Sequence, residues 1–401
     1  MAATDHHAKR QPRLAAAIAA LERRYDPRWA ADWDAVGLVC GDADAVVGSV
    51  LFAVDPVEAV VTEAVDAGAD LLVTHHPLFL TPVHGVPASD PKGRLVHRLI
   101  GAGCALYVAH TNADVAAPGV SDALAGALGL MATRPLVPAP DDPLDTVVTF
   151  VPSPASQALI DALSAAGAGS VGDYGRCAFS SAGEGTFVPG AGARPTVGAI
   201  GRVERVEETR VEMVFPRHLR EAITHALRAA HPYEEPAFSI MELAVGVRAG
   251  RGTGRVGTLP QPLRLEQFVA RVAAALPATA VGVRATGDPD AVVETVAVCG
   301  GSGGAYIGAA RSAGVDAYVT ADLRHHPTSE AIEPGPDGRP MSLLDVTHWA
   351  SEWPFLPVAA ERLRMDLGAD GATVSTRVST VVTDPWALHV PSREARPRGL
   401  T

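Results

Sequence analysis

Short apolar runs alternate with segments of helical periodicity along most of this chain, and few architectures satisfy that alternation. Val50–Val54 reads as a buried strand. The spacing over 57–67 predicts a helix ended by Gly68, and 70–74 reads as a second strand. A helix over about 94–102 leads to a third strand over 105–109. Upstream, Leu14, Ala17, Ile18 and Leu21 predict a first helix over 12–25. Strands alternating with helices imply an α/β domain with a mostly parallel sheet.

The pattern breaks near 131–145, where Pro135, Pro138, Pro140 and Pro143 punctuate what reads as a short acidic linker. Beyond it come a strand (145–151), a helix (155–166), a Gly/Ser-rich stretch (167–192), a strand (211–215), a helix (218–230), a strand (238–245) and a loop (246–257). Two βα units with an added β-arm predict a small α+β domain of split βαβ type. The β/α alternation returns from Leu263, with a strand over 295–299 and a helix over 349–367. The expected organisation is therefore a discontinuous α/β domain, 1–133 and 249–390, interrupted by an α+β insert at 134–248. A disordered tail is expected at 391–401. A length of 401 residues accommodates this division.

Composition removes several function classes. A net charge of −12 lacks the basic field that drives non-specific nucleic-acid binding, so a nucleic-acid partner is not expected. Lys9 and Lys92 are the only lysines, and neither sits in G-x-x-x-x-G-K-[ST], which excludes a P-loop. Cys40, Cys104, Cys177 and Cys299 are dispersed without a C-x-x-C, so neither a disulfide framework nor a thiolate zinc site is expected. No apolar run approaches the ~18–20 residues of a membrane span. A soluble cytoplasmic protein with no membrane partner is the expectation.

Candidate chemistry lies just past strand ends. His75 and His76 directly follow the 70–74 strand. His110 and Asp114 follow the 105–109 strand, and His348 and Glu352 stand at i, i+4 at a helix start. Each pair alone reads as ordinary loop, cap or helix-start residues. Together, three strand-end segments supply a nitrogen and oxygen donor set suited to Zn, Fe or Mn. Leaving His110 aside, the five donors, three histidines with Asp114 and Glu352, suit two divalent ions roughly 3.5–4 Å apart. There is also an internal echo. Residues 67–74 (AGADLLVT) resemble 313–320 (AGVDAYVT), and each is followed by His-His-Pro, at 75–77 and at 325–327.

The order of these motifs resembles that of the Nif-three-like family, the dinuclear-metal-centre hexameric proteins known as GTP cyclohydrolase 1 type 2 homologues. The resemblance covers nearly the whole chain. It rests on Trp33-Asp34-Ala35-Val36-Gly37-Leu38 with Gly41, Thr74-His75-His76-Pro77, His110-Thr111-Asn112-Ala113-Asp114 and Gly300-Gly301-Ser302-Gly303-Gly304. Thr320-Ala321-Asp322 with His326, and His348 with Glu352, complete it. It implies His75, His76, Asp114, His348 and Glu352 as metal ligands. It also implies a homohexamer built as a trimer of dimers, and a PII/CutA-like insert whose closing segment is matched by His231–Pro236. Ala35, Ala321 and Thr347 depart from the family pattern, where Asn, Gly and Gly are usual. None of them removes a ligand.

The roles that follow are a metal-dependent hydrolase acting on a small anionic or nucleotide substrate, with two ions lowering the pKa of a bridging water. His326 and His110 are the candidates for proton transfer or for orienting ligands, and Asp322 for orienting His326 or capping a helix. His231, Tyr233, Glu234 and Glu235 read as a cover for the cavity mouth or as a helix-end turn. Two other readings stand beside this one. A non-catalytic metal-binding scaffold or regulator would use the insert for a ligand or partner. A serine hydrolase would use Ser302, Asp345 and His348, since Gly300-Gly301-Ser302-Gly303-Gly304 matches G-x-S-x-G after a strand. A glycine-rich turn offering N–H groups to an anion explains the same residues.

Overall fold

The computed structural model describes residues 10–334 and 340–390; the tail expected to be disordered falls outside them. The chain divides into two compact units, 1–139 with 249–401, and 140–248. In chain order the first unit opens with α1 (Leu14–Arg24), β1 (Gly37–Cys40), β2 (Ser49–Ala53), α2 (Glu58–Asp66), β3 (Leu71–Thr74), α3 (Pro91–Gly101), β4 (Ala105–Val108), α4 (Thr111–Val115), α5 (Val120–Ala127) and β5 (Met131–Pro140). The second unit holds β6 (Leu144–Pro152), α6 (Ser156–Ala165), β7 (Phe179–Phe187), β8 (Glu204–Pro216), α7 (Arg220–Ala230) and β9 (Phe238–Glu242). The first unit resumes with β10 (Val247–Arg264), α8 (Leu265–Ala275), β11 (Arg284–Ala285), β12 (Val292–Ser302), α9 (Ile307–Ser312), β13 (Ala317–Ala321), α10 (His325–Ala331), β14 (Ser342–Val346), α11 (His348–Glu352), α12 (Phe355–Ala369) and β15 (Ser375–Val378).

The first unit carries two sheets where one was expected. One has the order β1-β4-β3-β2-β15, the other β11-β14-β13-β12-β10-β5. Their centres are parallel: β15, β2, β3 and β4 in the first, β12, β13 and β14 in the second. β1, β10 and β11 pair antiparallel. Every residue of β3, β4 and β13 is buried, as parallel strands covered on both faces require. The period of two divides their side chains between layers. Phe52, Leu71 and Val73 face a core shared with Val298, Val319 and Leu344 of the other sheet, and α1, α5, α8 and α12 close it. Leu51, Leu72 and Leu106 face α2 and α3. Ala297 and Tyr318 face α9.

Three sequence expectations are corrected here. Residues 131–140 form a strand, not a linker. Prolines survive in β5 because it is the last strand of its sheet, where one side needs no N–H donors. Residues 247–257, expected as part of a loop, belong to β10; a Cβ at Gly252 would stand 2.3 Å from the Val137 carbonyl, so the two backbones meet where only glycine fits. The helix expected over 349–367 is two helices, broken at Pro354.

The second unit is one antiparallel sheet of order β7-β8-β6-β9. Its β-α-β-β-α-β connectivity carries α6 and α7, whose Leu159, Leu163, Ile223 and Leu227 share a core with Val147, Val211 and Phe215. β7 lies inside the 167–192 stretch marked only by its Gly/Ser-rich composition. Its residues are nearly all exposed, so no apolar alternation announces it.

Candidate metal centre

Both sheets place their first polar residues at the carboxyl ends of parallel strands, where open α/β sheets bind ligands. His75 and His76 follow β3, and their amides still donate to the carbonyls of Ala53, which ends β2, and Val54, just beyond it. His110 stands immediately before α4, beyond β4. His348 opens α11 beyond β14, and Glu352, one helical turn on, closes it on the same face.

Each ring uses Nδ1 to hold its orientation and turns Nε2 inward. His75, 1% exposed, donates Nδ1–H to the Ala109 carbonyl at 2.8 Å. His76 Nδ1 is 2.6 Å from Asp55, His348 Nδ1 is 2.6 Å from Asp322, and His110 Nδ1 is 2.8 Å from Asp34. Carboxylate or carbonyl partners of this kind fix the tautomer of metal-ligating imidazoles. The Nε2 atoms gather round Glu352. His75 lies 3.4 Å and His348 3.0 Å from Oε1, and His76 lies 3.1 Å from Oε2. Asp114 Oδ1 stands 3.6 Å from His75 Nε2. Two sets offer donor atoms within 4.8 Å of one another: His75, His76 and His110, and His76, His348 and Glu352.

This donor set fits divalent ions. His75 Nε2 and Glu352 Oε2 are buried without a hydrogen-bond partner, which is costly unless something else binds them. Burial alone would discharge these groups. It lowers the imidazole pKa values, but the Glu352 carboxylate outweighs it, aided by Asp55 at His76 and Asp322 at His348. His76 is pushed up to about 11 and His348 to about 10. Burial would raise Glu352, yet the three imidazoles hold it well below the usual carboxylate range. At Asp114 burial prevails and the carboxyl is raised. The buried negative charge thus calls for cations, and the ligand-free chain meets that need by protonating imidazoles.

The sequence-predicted residues divide. His75, His76, His348 and Glu352 converge, with Asp114 beside His75. His110 joins them; its ring is 5.2 Å from that of His75 and 5.5 Å from that of His76. His326 does not converge. It is exposed on α10 with its ring against His325, 5.3 Å away, because Asp322, at φ +57°, turns the chain after β13. Asp322 therefore orients His348 and not His326. Sequence reasoning gave no role to Asp34 or Asp55. Asp34 was visible only as a member of the Trp33–Leu38 motif, and Asp55 only by position, two residues past β2 at the same sheet edge.

The Gly300–Gly304 turn forms one wall. A Cβ on Gly301, at φ +65°, would stand 2.4 Å from Glu352 Oε1 and 3.1 Å from His348 Nε2. The N–H groups of Gly300 and Gly301 donate to Ser121 and Ser351, so they are not offered to an anion. The serine-hydrolase arrangement is not assembled either. Asp345 pairs with Arg284 and accepts the Leu323 N–H, while His348 Nδ1 is held by Asp322. The cluster opens into a cleft of about 570 Å³, whose walls include Trp29, Trp33, Thr111 and Tyr306. Trp33, 61% exposed, sets its ring edge-on to His110 at 6.0 Å.

Known proteins are similar to this chain over nearly its whole length. The model of the Duf34/NIF3 (NGG1p interacting factor 3) family matches residues 12–385. A GTP cyclohydrolase 1 type 2 homolog of Mycobacterium tuberculosis is 52% identical over 377 residues, covering 94% of this chain and 97% of that relative. One of Streptomyces coelicolor is 40% identical over 381 residues, covering 95% and 96%. Among solved structures, a Bacillus cereus protein related to NIF3 has a TM-score of 0.73 at 35% identity, covering 95% of this chain and all of the other. A Staphylococcus aureus protein has a TM-score of 0.75 at 26% identity, covering 94% and 99%. With a family model spanning nearly every described residue and a relative at more than half identity, the chain belongs to the DUF34/NIF3 family.

Proposed function

We propose that this chain is a dinuclear metal protein and that its centre is a metal-dependent hydrolytic site for a small anionic or nucleotide substrate. One observation carries the reading: two buried polar atoms, His75 Nε2 and Glu352 Oε2, lack hydrogen-bond partners at the point where three imidazoles converge. His75, His76, His348, Glu352 and Asp114 would hold the ions, with His110 within reach of the same position. Divalent ions bound there supply Lewis acidity and acidify water near neutral pH. The chain's own residues do the rest. Asp55, Asp322 and the Ala109 carbonyl keep three Nε2 lone pairs aimed inward. Trp33 offers an exposed flat ring at the cleft, suited to stacking on a planar base. Asp34 steadies His110 for proton transfer.

GTP as the substrate rests on the relatives' names, and the homohexamer rests on the family resemblance of the sequence alone. The PII/CutA-like character of the insert is supported by its β-α-β-β-α-β order. Elemental analysis of untagged purified protein tests the centre, with about two ions per chain expected. A chain that carries no metal and takes none up on reconstitution would overturn the assignment. Release of formate from GTP by the metal-loaded protein, absent from His76→Ala, tests the nucleotide reading. Failure across nucleotides with each metal would favour the scaffold.

A further inference from the structure

The inserted unit contains a cavity of its own, about 510 Å³, and the metal-centre reading makes no use of it. Its wall is aromatic and acidic. Phe150, Phe187 and Tyr233 supply the rings, with Phe187 and Tyr233 edge to face at 5.7 Å. Glu184, Glu208, Glu234 and Glu235 supply four carboxyl groups, and the described lining includes no lysine or arginine. Two of the four meet an arginine and a third is in water. Glu184 pairs with Arg205 and Glu235 lies 3.8 Å from Arg228, while Glu234, exposed, accepts the backbone N–H of Arg194 at 2.9 Å. The Glu234 bond, with that from the Thr196 hydroxyl to the Pro232 carbonyl, ties the 190–201 loop across the cavity.

Glu208 differs. It is 9% exposed, and its carboxylate meets one neutral donor, the Tyr233 hydroxyl at 2.8 Å. The backbone makes room for it, since a Cβ on Gly185 would stand 2.1 Å from Glu208 Oε2. His231 adds no positive charge. Its Nε2–H donates to the Phe150 carbonyl and its Nδ1 accepts the Tyr233 amide, and burial lowers its pKa. A carboxylate in an apolar wall with one neutral partner is under-compensated, and a cation is what completes it. Aromatic faces beside it favour a cation carried on an apolar body.

We propose that this cavity binds a small organic cation, a primary or secondary ammonium on an aromatic or aliphatic body, with Glu208 accepting from the ammonium. The proposal is independent of the metal centre. The test is calorimetric titration of the full chain at pH 7 with phenethylammonium, and with 2-phenylethanol as the neutral probe of similar shape. Saturable binding of the ammonium, at least tenfold tighter than that of the alcohol, is expected. Glu208→Gln should weaken it at least tenfold while metal content stays unchanged. Val197→Arg, at an exposed lining position, places a competing cation in the cavity and should do the same without disturbing the core. Equal binding of the two probes, absence of saturable binding, or ammonium affinity unaltered in both variants would each overturn the proposal.

Discussion

Gly301→Ala puts the geometry of the metal centre at risk with one methyl group. The φ of +65° costs an L-residue about 1–2 kcal/mol. The added carbon would lie 2.4 Å from Glu352 Oε1 and 3.1 Å from His348 Nε2, so the carboxylate must move. The turn cannot swing away easily. Its Gly301 N–H donates to Ser351 at 2.8 Å, and its carbonyl accepts from Thr320 at 3.1 Å. Disturbing ligand orientation typically costs 10–100-fold in metal affinity, and displacing Glu352 should cost at least that. Gly304→Ala is the control, since nothing lies within 4 Å of its Cβ. The assay is competitive titration with a graded chelator, alongside thermal unfolding in excess chelator. Gly301→Ala should lose metal at far lower chelator concentration and melt a few degrees lower, while Gly304→Ala tracks the parent chain. Metal affinity unchanged in Gly301→Ala would refute the placement of Glu352 among the ligands, whatever happened to stability.

Other perturbations separate structural from site roles. Asp322→Gly relieves a positive φ but also removes the carboxylate that supports His348 in the metal-free chain, and the two effects oppose, so metal-free stability should change by no more than about 1 kcal/mol. Metal affinity should still fall 10–100-fold as His348 loses its 2.6 Å partner, and chelator titration reads the two effects apart. Arg255, 1% exposed, donates to both Asp122 oxygens and to the Ala116, Gly252 and Gly254 carbonyls; Arg255→Met should destabilise the first unit by about 3–5 kcal/mol in denaturant unfolding. In the second unit, burial raises the Asp145 carboxyl, but Arg220 and Arg217 outweigh it and hold the pKa below the ordinary value. That contribution is complete above the unfolded pKa of about 3.9 and is lost as pH falls through the lower folded value. Asp145→Asn should therefore flatten the acid limb of the second unit's stability.

Much of the site was legible because strand-end residues break an apolar run abruptly. β3 and β13 show how far that signal reaches. In both, the Asp of the repeated A-G-x-D segment accepts backbone N–H groups at the start of the neighbouring strand, Asp70 from Gly48 and Ser49, Asp316 from Glu294 and Thr295. The echo is thus a shared way of starting a parallel strand. It does not extend to the chemistry, because His75 and His76 continue off β3 into the cluster while His325 and His326 turn into α10. The roles of Asp55 and Asp34 were illegible, although Asp34 stood in a recognised motif, because a carboxylate that orients a ring from another element leaves no spacing to read. β5 and β10 were misread because propensity favours loops in proline- and glycine-rich runs. An edge position and a close backbone approach overrode it.

The two sheets also settle what an ion would contribute. His75, His76, His110 and Asp114 follow strands of one sheet, and His348 and Glu352 follow β14 of the other. An ion shared between these groups would link the sheets, which invites comparison with small domains that fold only around zinc. The core argues otherwise. Phe52, Val73 and Tyr107 from one sheet share a continuous buried cluster with Val298, Val319 and Leu344 from the other, sealed by Leu21, Phe268 and Phe355. Several fully buried large side chains, each contributing roughly 1.5–3 kcal/mol, hold the sheets together before any ligand binds. The carboxylate at the centre is meanwhile balanced by imidazoles drawn into protonation. The shared core thus predicts that the chain folds without metal, with the site formed before any ion binds. Metal removal should lower stability by the linkage of binding to folding and leave the fold in place.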